Sequence, residues 1–257
     1  MATTPTMAGK VALVTGGSRS LGKSVALTLA ARGADVIITY RSAADEAAAT
    51  VKEIEGHGRR AAALPIDLNG DTAADLVTAV TATLDDKFGG AKLDFLINNA
   101  GINSQMPFPK VSLDELNKVF QVNYAAPYML TQGLLPHMAD GGRIIYVGSG
   151  TSRFVVPTMS AYGPLKAAIE CLARYVAAEV GSRRITANAV SPGMLATEFN
   201  KEGMESHPEV TEHIAGMTAL GRIGEATDVS GVIAFLCSEE AGWVNGQRIE
   251  VAGGIYL

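Results

Sequence analysis

Lys10-Val11-Ala12-Leu13-Val14-Thr15 runs directly into Gly16-Gly17-Ser18-Arg19-Ser20-Leu21-Gly22, and from Lys23 to Arg32 the apolar residues recur with a helical period. A short β-branched apolar run, a glycine-rich turn and an amphipathic stretch predict a strand, a tight turn and a helix in that order. Such a turn lets backbone N–H groups at a helix N-terminus face a pyrophosphate, with glycine where the chain bends sharply or approaches the phosphates. Gly16, Ser18, Arg19, Ser20, Leu21 and Gly22 are the residues that would line it. An ordinary turn between strand and helix explains the same glycines, so the decision falls to the rest of the chain.

Working outward, the same alternation repeats. Strands are predicted at Asp35 to Tyr40, Ala61 to Ile66, Leu93 to Ile97, Gly142 to Gly148, Ile185 to Val190 and Gln247 to Val251. Between them lie helical patterns at Ala43 to Ile54, Thr72 to Phe88, Ser112 to Met138 and Asp228 to Cys237. The third of these is long, and Pro127 and Gly133 are expected to bend or interrupt it. Another helix starts near Tyr162, because Pro164 fits only in a first turn and Ser160 is available as a cap. This order predicts an α/β fold: a doubly wound, Rossmann-type parallel sheet of about seven strands with helices on both faces, forming one domain over residues 1–257. The segment 194–217, after a strand's carboxyl end, reads as a substrate lid.

Composition narrows the partners. The 257 residues carry 21 basic and 26 acidic side chains, net −5, with no basic stripe, so nucleic acid is not expected as a partner. No run of eighteen apolar residues occurs, and Met1 to Gly9 lacks a charged region followed by an apolar one, so neither a membrane span nor export is expected. Cys171 and Cys237 have no metal-like spacing with His57, His137, His207 or His213; they read as buried thiols in a reduced compartment, the cytoplasm, and no metal is expected.

Several strand ends carry chemistry. After the second strand comes Tyr40-Arg41-Ser42, where an acidic residue would bind the ribose hydroxyls of NAD. Arg41 and Ser42, with Arg19, suit a 2′-phosphate, which favours NADP over NAD; solvated surface arginines are the alternative. Asp67-Leu68 follows the third strand, where a carboxylate either accepts from an adenine amine or caps a helix. Asn99-Ala100-Gly101 follows the fourth and suits either a close cofactor approach or a plain turn. Asn123 falls mid-helix, a poor place for asparagine unless it is exposed or bound to something specific. Ser149 ends the fifth strand. Tyr162 and Lys166 stand four residues apart, one helical turn on one face. An ammonium about 5 Å from a phenol, at an effective dielectric of ~20, favours the phenolate by ~3 kcal/mol, or ~2 pKa units.

Taken together, Thr15-Gly16 to Gly22, Asn98-Asn99-Ala100-Gly101, Asn123, Ser149, Tyr162 with Lys166, Pro192-Gly193 with Thr197, and Gly221-Arg222-Ile223-Gly224 leading to Gly253-Gly254 resemble the short-chain dehydrogenase/reductase family from Lys10 to about Gly254. The resemblance implies an NADP-dependent oxidoreductase acting on a small-molecule carbonyl or alcohol. It implies Tyr162 as general acid/base, Ser149 on the substrate oxygen, Lys166 on the nicotinamide ribose and lowering the phenol's pKa, and Asn123 fixing a proton-passing water. Pro192, Gly193 and Thr197 match the segment that contacts the nicotinamide and phosphate. The tail resembles members that form homotetramers, for which Trp243 suits an interface, as it also suits a core. One departure stands out: Ser20 replaces the middle glycine of the family's turn, where its side chain either crowds the pyrophosphate or donates to it. Met106, Phe154, Met159, Met194 and Phe199 flank the expected crevice and suit either a pocket wall or core packing. Arg153 suits an acidic substrate group or the surface. A 3-oxoacyl carrier-protein reductase is the alternative enzyme, and a non-catalytic NAD(P)-binding sensor or scaffold the alternative of another class.

Overall fold

The computed structural model describes residues 6–70 and 72–257. β1 (Val11–Val14), β2 (Asp35–Tyr40), β3 (Ala61–Pro65), β4 (Leu93–Asn98), β5 (Met138–Val147), β6 (Thr186–Pro192) and β7 (Arg248–Val251) form one sheet in the order β3-β2-β1-β4-β5-β6-β7, with every described pair parallel. All of β1 and β4 is buried, as expected of strands covered on both faces, which read as continuous apolar runs.

Helices alternate with the strands: α1 (Ser20–Ala31), α2 (Ala44–Gly56), α3 (Ala73–Phe88), α4 (Leu113–Phe120), α5 (Ala126–Leu134), α6 (Gly163–Val180), α7 (Lys201–Ser206), α8 (Pro208–Gly216) and α9 (Ala226–Leu236). One core forms where Val25 and Leu29 of α1, Ile54 of α2 and Val229 and Ile233 of α9 meet the sheet. The opposite core takes Leu76 and Val80 from α3, Leu130 and Leu134 from α5, and Ile169 and Ala173 from α6. The predicted doubly wound, seven-stranded parallel sheet is the one observed. Because β1 lies between β2 and β4, the order in which strands are added to the sheet reverses beside it, and open α/β sheets bind ligands outside the carboxyl ends of the strands at such a point.

Two local readings change. The long helix predicted over Ser112 to Met138 does not break at Gly133; it passes through a π turn at Gln121–Ala125 and resumes as α5, with Pro127 in the first turn. Proline offers no N–H to the carbonyl four residues back, and a widened turn before it accommodates that loss. At α6, the residue preceding the helix is Tyr162 and makes no capping bond, so Ser160 is not the cap; Pro164 sits in the first turn as expected.

Candidate active site

The turn after β1 is fastened to the neighbouring strands by few, well-placed groups. Gly16 N–H donates to Thr39 Oγ1 at 3.1 Å and Gly17 N–H to Thr39 O at 2.9 Å. Thr15 Oγ1 accepts from both Asn99 N and Ala100 N at 3.0 Å, while Asn99 Nδ2 donates to Thr15 O at 2.8 Å. The turns after β1, β2 and β4 are thereby held around one opening. Arg19 precedes α1 without a side-chain cap, leaving the helix's first N–H groups facing that opening. Ser20 adopts φ +53°, and its buried Oγ has no hydrogen-bond partner. Asp35, at the far end of β2, is taken up by Arg60, whose Nε donates to Oδ2 at 2.8 Å.

A cleft of about 970 Å³ runs from this turn across the carboxyl ends of the strands. Gly16, Ser18, Arg19, Ser20, Leu21, Gly22, Tyr40, Arg41, Ser42, Asp67, Leu68, Asn99, Ala100 and Gly101 line one part of it. Ser149, Tyr162, Lys166, Pro192, Gly193 and Thr197 line the other. Asp67 also accepts from Asn69 N at 2.9 Å, a local turn bond, while Thr72 precedes α3. The dinucleotide fits this frame on three observations: an uncapped helix N-terminus, an orphaned Ser20 hydroxyl, and two exposed guanidinium groups, Arg19 and Arg41, with no partner among the described residues.

At the other end, Tyr162 and Lys166 are buried on one face of the α6 entrance. The Lys166 ammonium lies over the Tyr162 ring, 5.5 Å from its centroid, and donates to Val147 O at 2.8 Å. Burial pushes the phenol up to about 12, against a hydrogen bond with Ser149 that acts the other way. The sequence expectation is a lowered phenol pKa; in the cofactor-free protein the direction is upward, with burial the largest cause and the cation lying over the ring face. Burial also brings Lys166 down to about 8, with Glu170 opposing that change. Ser149 Oγ accepts from Thr151 N at 3.3 Å and from Thr151 Oγ1 at 2.9 Å, so its single proton is directed elsewhere.

Asn123 does not line the cleft but stands behind it, almost fully buried in the π turn. Its Nδ2 donates to Val119 O and to Ile102 O, each at 2.9 Å, and its Oδ1 has no partner among the described residues. A Cβ on Gly101 would lie 2.8 Å from that oxygen and 3.5 Å from Lys166 Nζ, so the glycine keeps the space between them open.

Of the expected wall residues, Phe154, Met159, Met194 and Phe199 line the cleft; Met106 instead donates its N–H to Thr158 O at 2.8 Å. Arg153 does not line the cleft; it pairs with Glu250 at 2.8 Å and donates to Ile255 O at 2.7 Å. Trp243 is 99% exposed, which removes core burial as its explanation. Thr151 and Tyr256 were not legible beforehand. Tyr256 lines the cleft against Phe154, ring centroids 4.8 Å apart, and only its place after the Gly253-Gly254 pair hinted at it.

Among the described residues no helix is long and apolar enough to cross a membrane, and no group of three His, Cys, Asp or Glu side chains is arranged to hold a metal ion. A family model described as enoyl-(acyl carrier protein) reductase matches residues 16–256. Versicolorin reductase of Emericella nidulans is 36% identical over 258 residues, covering 96% of each chain. The crystal structure of an angucycline C-6 ketoreductase with bound NADP superposes with a TM-score of 0.92 at 36% identity, over 97% of this chain and 96% of that one. A short-chain dehydrogenase from Burkholderia cenocepacia in complex with NADP gives 0.89 at 36% identity, over 97% and 98%.

Proposed function

The chain belongs to the short-chain dehydrogenase/reductase family, and on that premise we propose an NADP-dependent oxidoreductase that transfers a hydride between the nicotinamide and a carbonyl or secondary alcohol. The observation that carries this reading is the meeting of the Ser149 hydroxyl, the Tyr162 phenol and the Lys166 ammonium on one cleft that begins at the glycine turn.

Bound NADPH supplies the hydride. Arg19 and Arg41 hold the 2′-phosphate, the α1 N-terminus and Ser20 the pyrophosphate, and Pro192, Gly193 and Thr197 the nicotinamide end. Ser149 donates its free proton as a hydrogen bond to the carbonyl oxygen, where negative charge develops. Tyr162, protonated throughout the neutral range because of its burial, gives that oxygen its proton. Lys166 holds the ribose hydroxyls and restores the phenol's proton. Asn123, from behind, fixes the water that passes protons to Lys166.

The substrate half is walled by Phe154, Met159, Met194, Phe199 and Tyr256, which favours an apolar or cyclic ketone. The segment 194–217, carrying α7 and α8, acts as the lid of a single catalytic domain: Phe199, Val210 and Ile214 reach the cleft from it. The carrier-protein alternative needs a basic rim for an acidic partner, and Arg153, the arginine near that mouth, is neutralised by Glu250. The protein works in the cytoplasm, consistent with free Cys171 and Cys237. It assembles as a homotetramer: Leu113, Phe120, Tyr128 and Met129 expose a stripe on α4 and α5, and Trp243 a second anchor. Sedimentation at micromolar protein tests the tetramer.

The deciding experiment follows NADPH oxidation across a panel of cyclic ketones, linear ketones and acyl thioesters. Turnover of cyclic ketones supports the reading, preference for acyl thioesters selects the carrier-protein alternative, and NADPH binding without any turnover leaves the sensor.

A further inference from the structure

Glu170 lies on α6 four residues beyond Lys166 and eight beyond Tyr162, on the same helical face, and is 5% exposed. A carboxylate so buried requires compensation, and it finds four donors from three separate elements. Ser191 Oγ of β6 donates to Oε1 at 2.5 Å, Ser152 Oγ to the same oxygen at 2.8 Å, and the Ser149 N–H at 3.4 Å. Arg248 of β7 donates its Nε to Oε2 at 2.9 Å and is itself tied to Glu250 at 3.1 Å. Gly148 is part of the same device: a Cβ there would collide with Glu170 Oε1 and stand 2.6 Å from Ser191 Oγ. The carboxylate therefore bolts the turn that carries Ser149 to the helix that carries Tyr162 and Lys166.

We infer that Glu170, with Arg248 as its counter-ion, is a positioning residue that sets Ser149 against Tyr162 and keeps the Lys166 ammonium charged. The catalytic consequence rests on the oxidoreductase reading above; the effect on Lys166 does not. Among the described residues, Glu170 is the charged neighbour that acts on both Tyr162 and Lys166. The charged groups around Glu170 itself are Arg248 on β7 and, behind it, Glu250 and Arg153. Removing the carboxylate takes away a negative charge and leaves Arg248 with Glu250 as its remaining partner, and both changes disfavour a protonated Lys166. Removing Arg248 does the reverse.

The test is the ¹⁵N-lysine NMR titration of Lys166, assigned by its loss in Lys166→Met, in the wild type, Glu170→Gln and Arg248→Met. Glu170→Gln is expected to lower the Lys166 midpoint by about one to two pH units, the scale of one charge at a helical turn's distance. Arg248→Met is expected to raise it. Ketone reduction should lose its high-pH limb in parallel, with NADPH affinity unchanged. A midpoint unmoved in Glu170→Gln, or moved in the same direction by both substitutions, overturns the inference. If Glu170→Gln does not fold, the sign of the Arg248→Met shift decides alone. Because the titration is read without turnover, an absence of reductase activity refutes the proposed function and not this coupling.

Discussion

Gly22 and Asn99 approach so closely that a Cβ on Gly22 would stand 2.6 Å from Asn99 Nδ2 and inside the envelope of the Gly16 carbonyl. The same Nδ2 donates to Thr15 O and Gly16 O. Gly22→Ala therefore strikes backbone as well as a pinned side chain, and neither can yield cheaply. Its cost is expected at about 2–4 kcal/mol, visible as a lower urea midpoint with an unchanged slope. A variant as stable as the wild type would show that the turn yields.

Ser20 departs from glycine at a left-handed position and carries an orphaned hydroxyl. Relief of backbone strain and of the unpaired group outweighs the added freedom of the unfolded chain, so Ser20→Gly is expected to stabilise the cofactor-free protein by about 1 kcal/mol. If the hydroxyl binds the pyrophosphate, the rise in melting temperature on adding NADPH shrinks in the variant. Thermal scans with and without NADPH separate the two effects, and an undiminished rise would remove Ser20 from the cofactor site.

Arg41 follows β2, exposed and without a partner among the described residues. Arg41→Ala is expected to weaken NADPH binding about tenfold or more, the scale of one charge-assisted contact, while NADH binding holds steady. Titration of both cofactors by fluorescence measures it. Equal losses for the two would assign Arg41 to general folding.

Tyr162→Phe removes the proton donor and nothing else of the wall. Turnover is expected to fall by about 10²–10⁴-fold with NADPH affinity retained, measured by single-turnover kinetics and equilibrium binding. Full activity across the ketone panel would sink the assignment.

Lys166 also leaves a mark on stability. Its pKa is about 8 when folded, below the ordinary 10.5, so between those values the unfolded chain binds the extra proton and stability rises with pH. Below about 8 both states are protonated and the full penalty, on the order of 3 kcal/mol, is present. Lys166→Met should thus be more stable than the wild type at pH 7, with the difference narrowing towards pH 10. Denaturation curves at several pH values check this, and a constant difference would contradict it.

How much of this was legible in the sequence depended on how local the signal was. The sheet and the glycine turn are written in contiguous runs, and their expected strands are found within a few residues. Tyr162, Lys166 and Ser149 were legible because a helical period and a strand end place them without reference to distant parts. Arg153 and Glu170 were not, since their roles depend on Glu250, 97 residues away, and Arg248, 78 residues away, contacts no periodicity reports. The direction of the phenol's titration is not legible in the sequence for a related reason: spacing gives the distance of a cation, whereas burial is a property of everything packed around it.

The π turn leaves one consequence for the position it carries. Asn123 hands two hydrogens from one nitrogen to two carbonyl oxygens and turns a bare oxygen the other way. Aspartate keeps the shape but has no hydrogens to give, glutamine has them on a longer arm, and serine and threonine have only one. Position 123 therefore has an alphabet of a single letter, and a chain that spells anything else there gives up either the paired donation or the bare oxygen beside it.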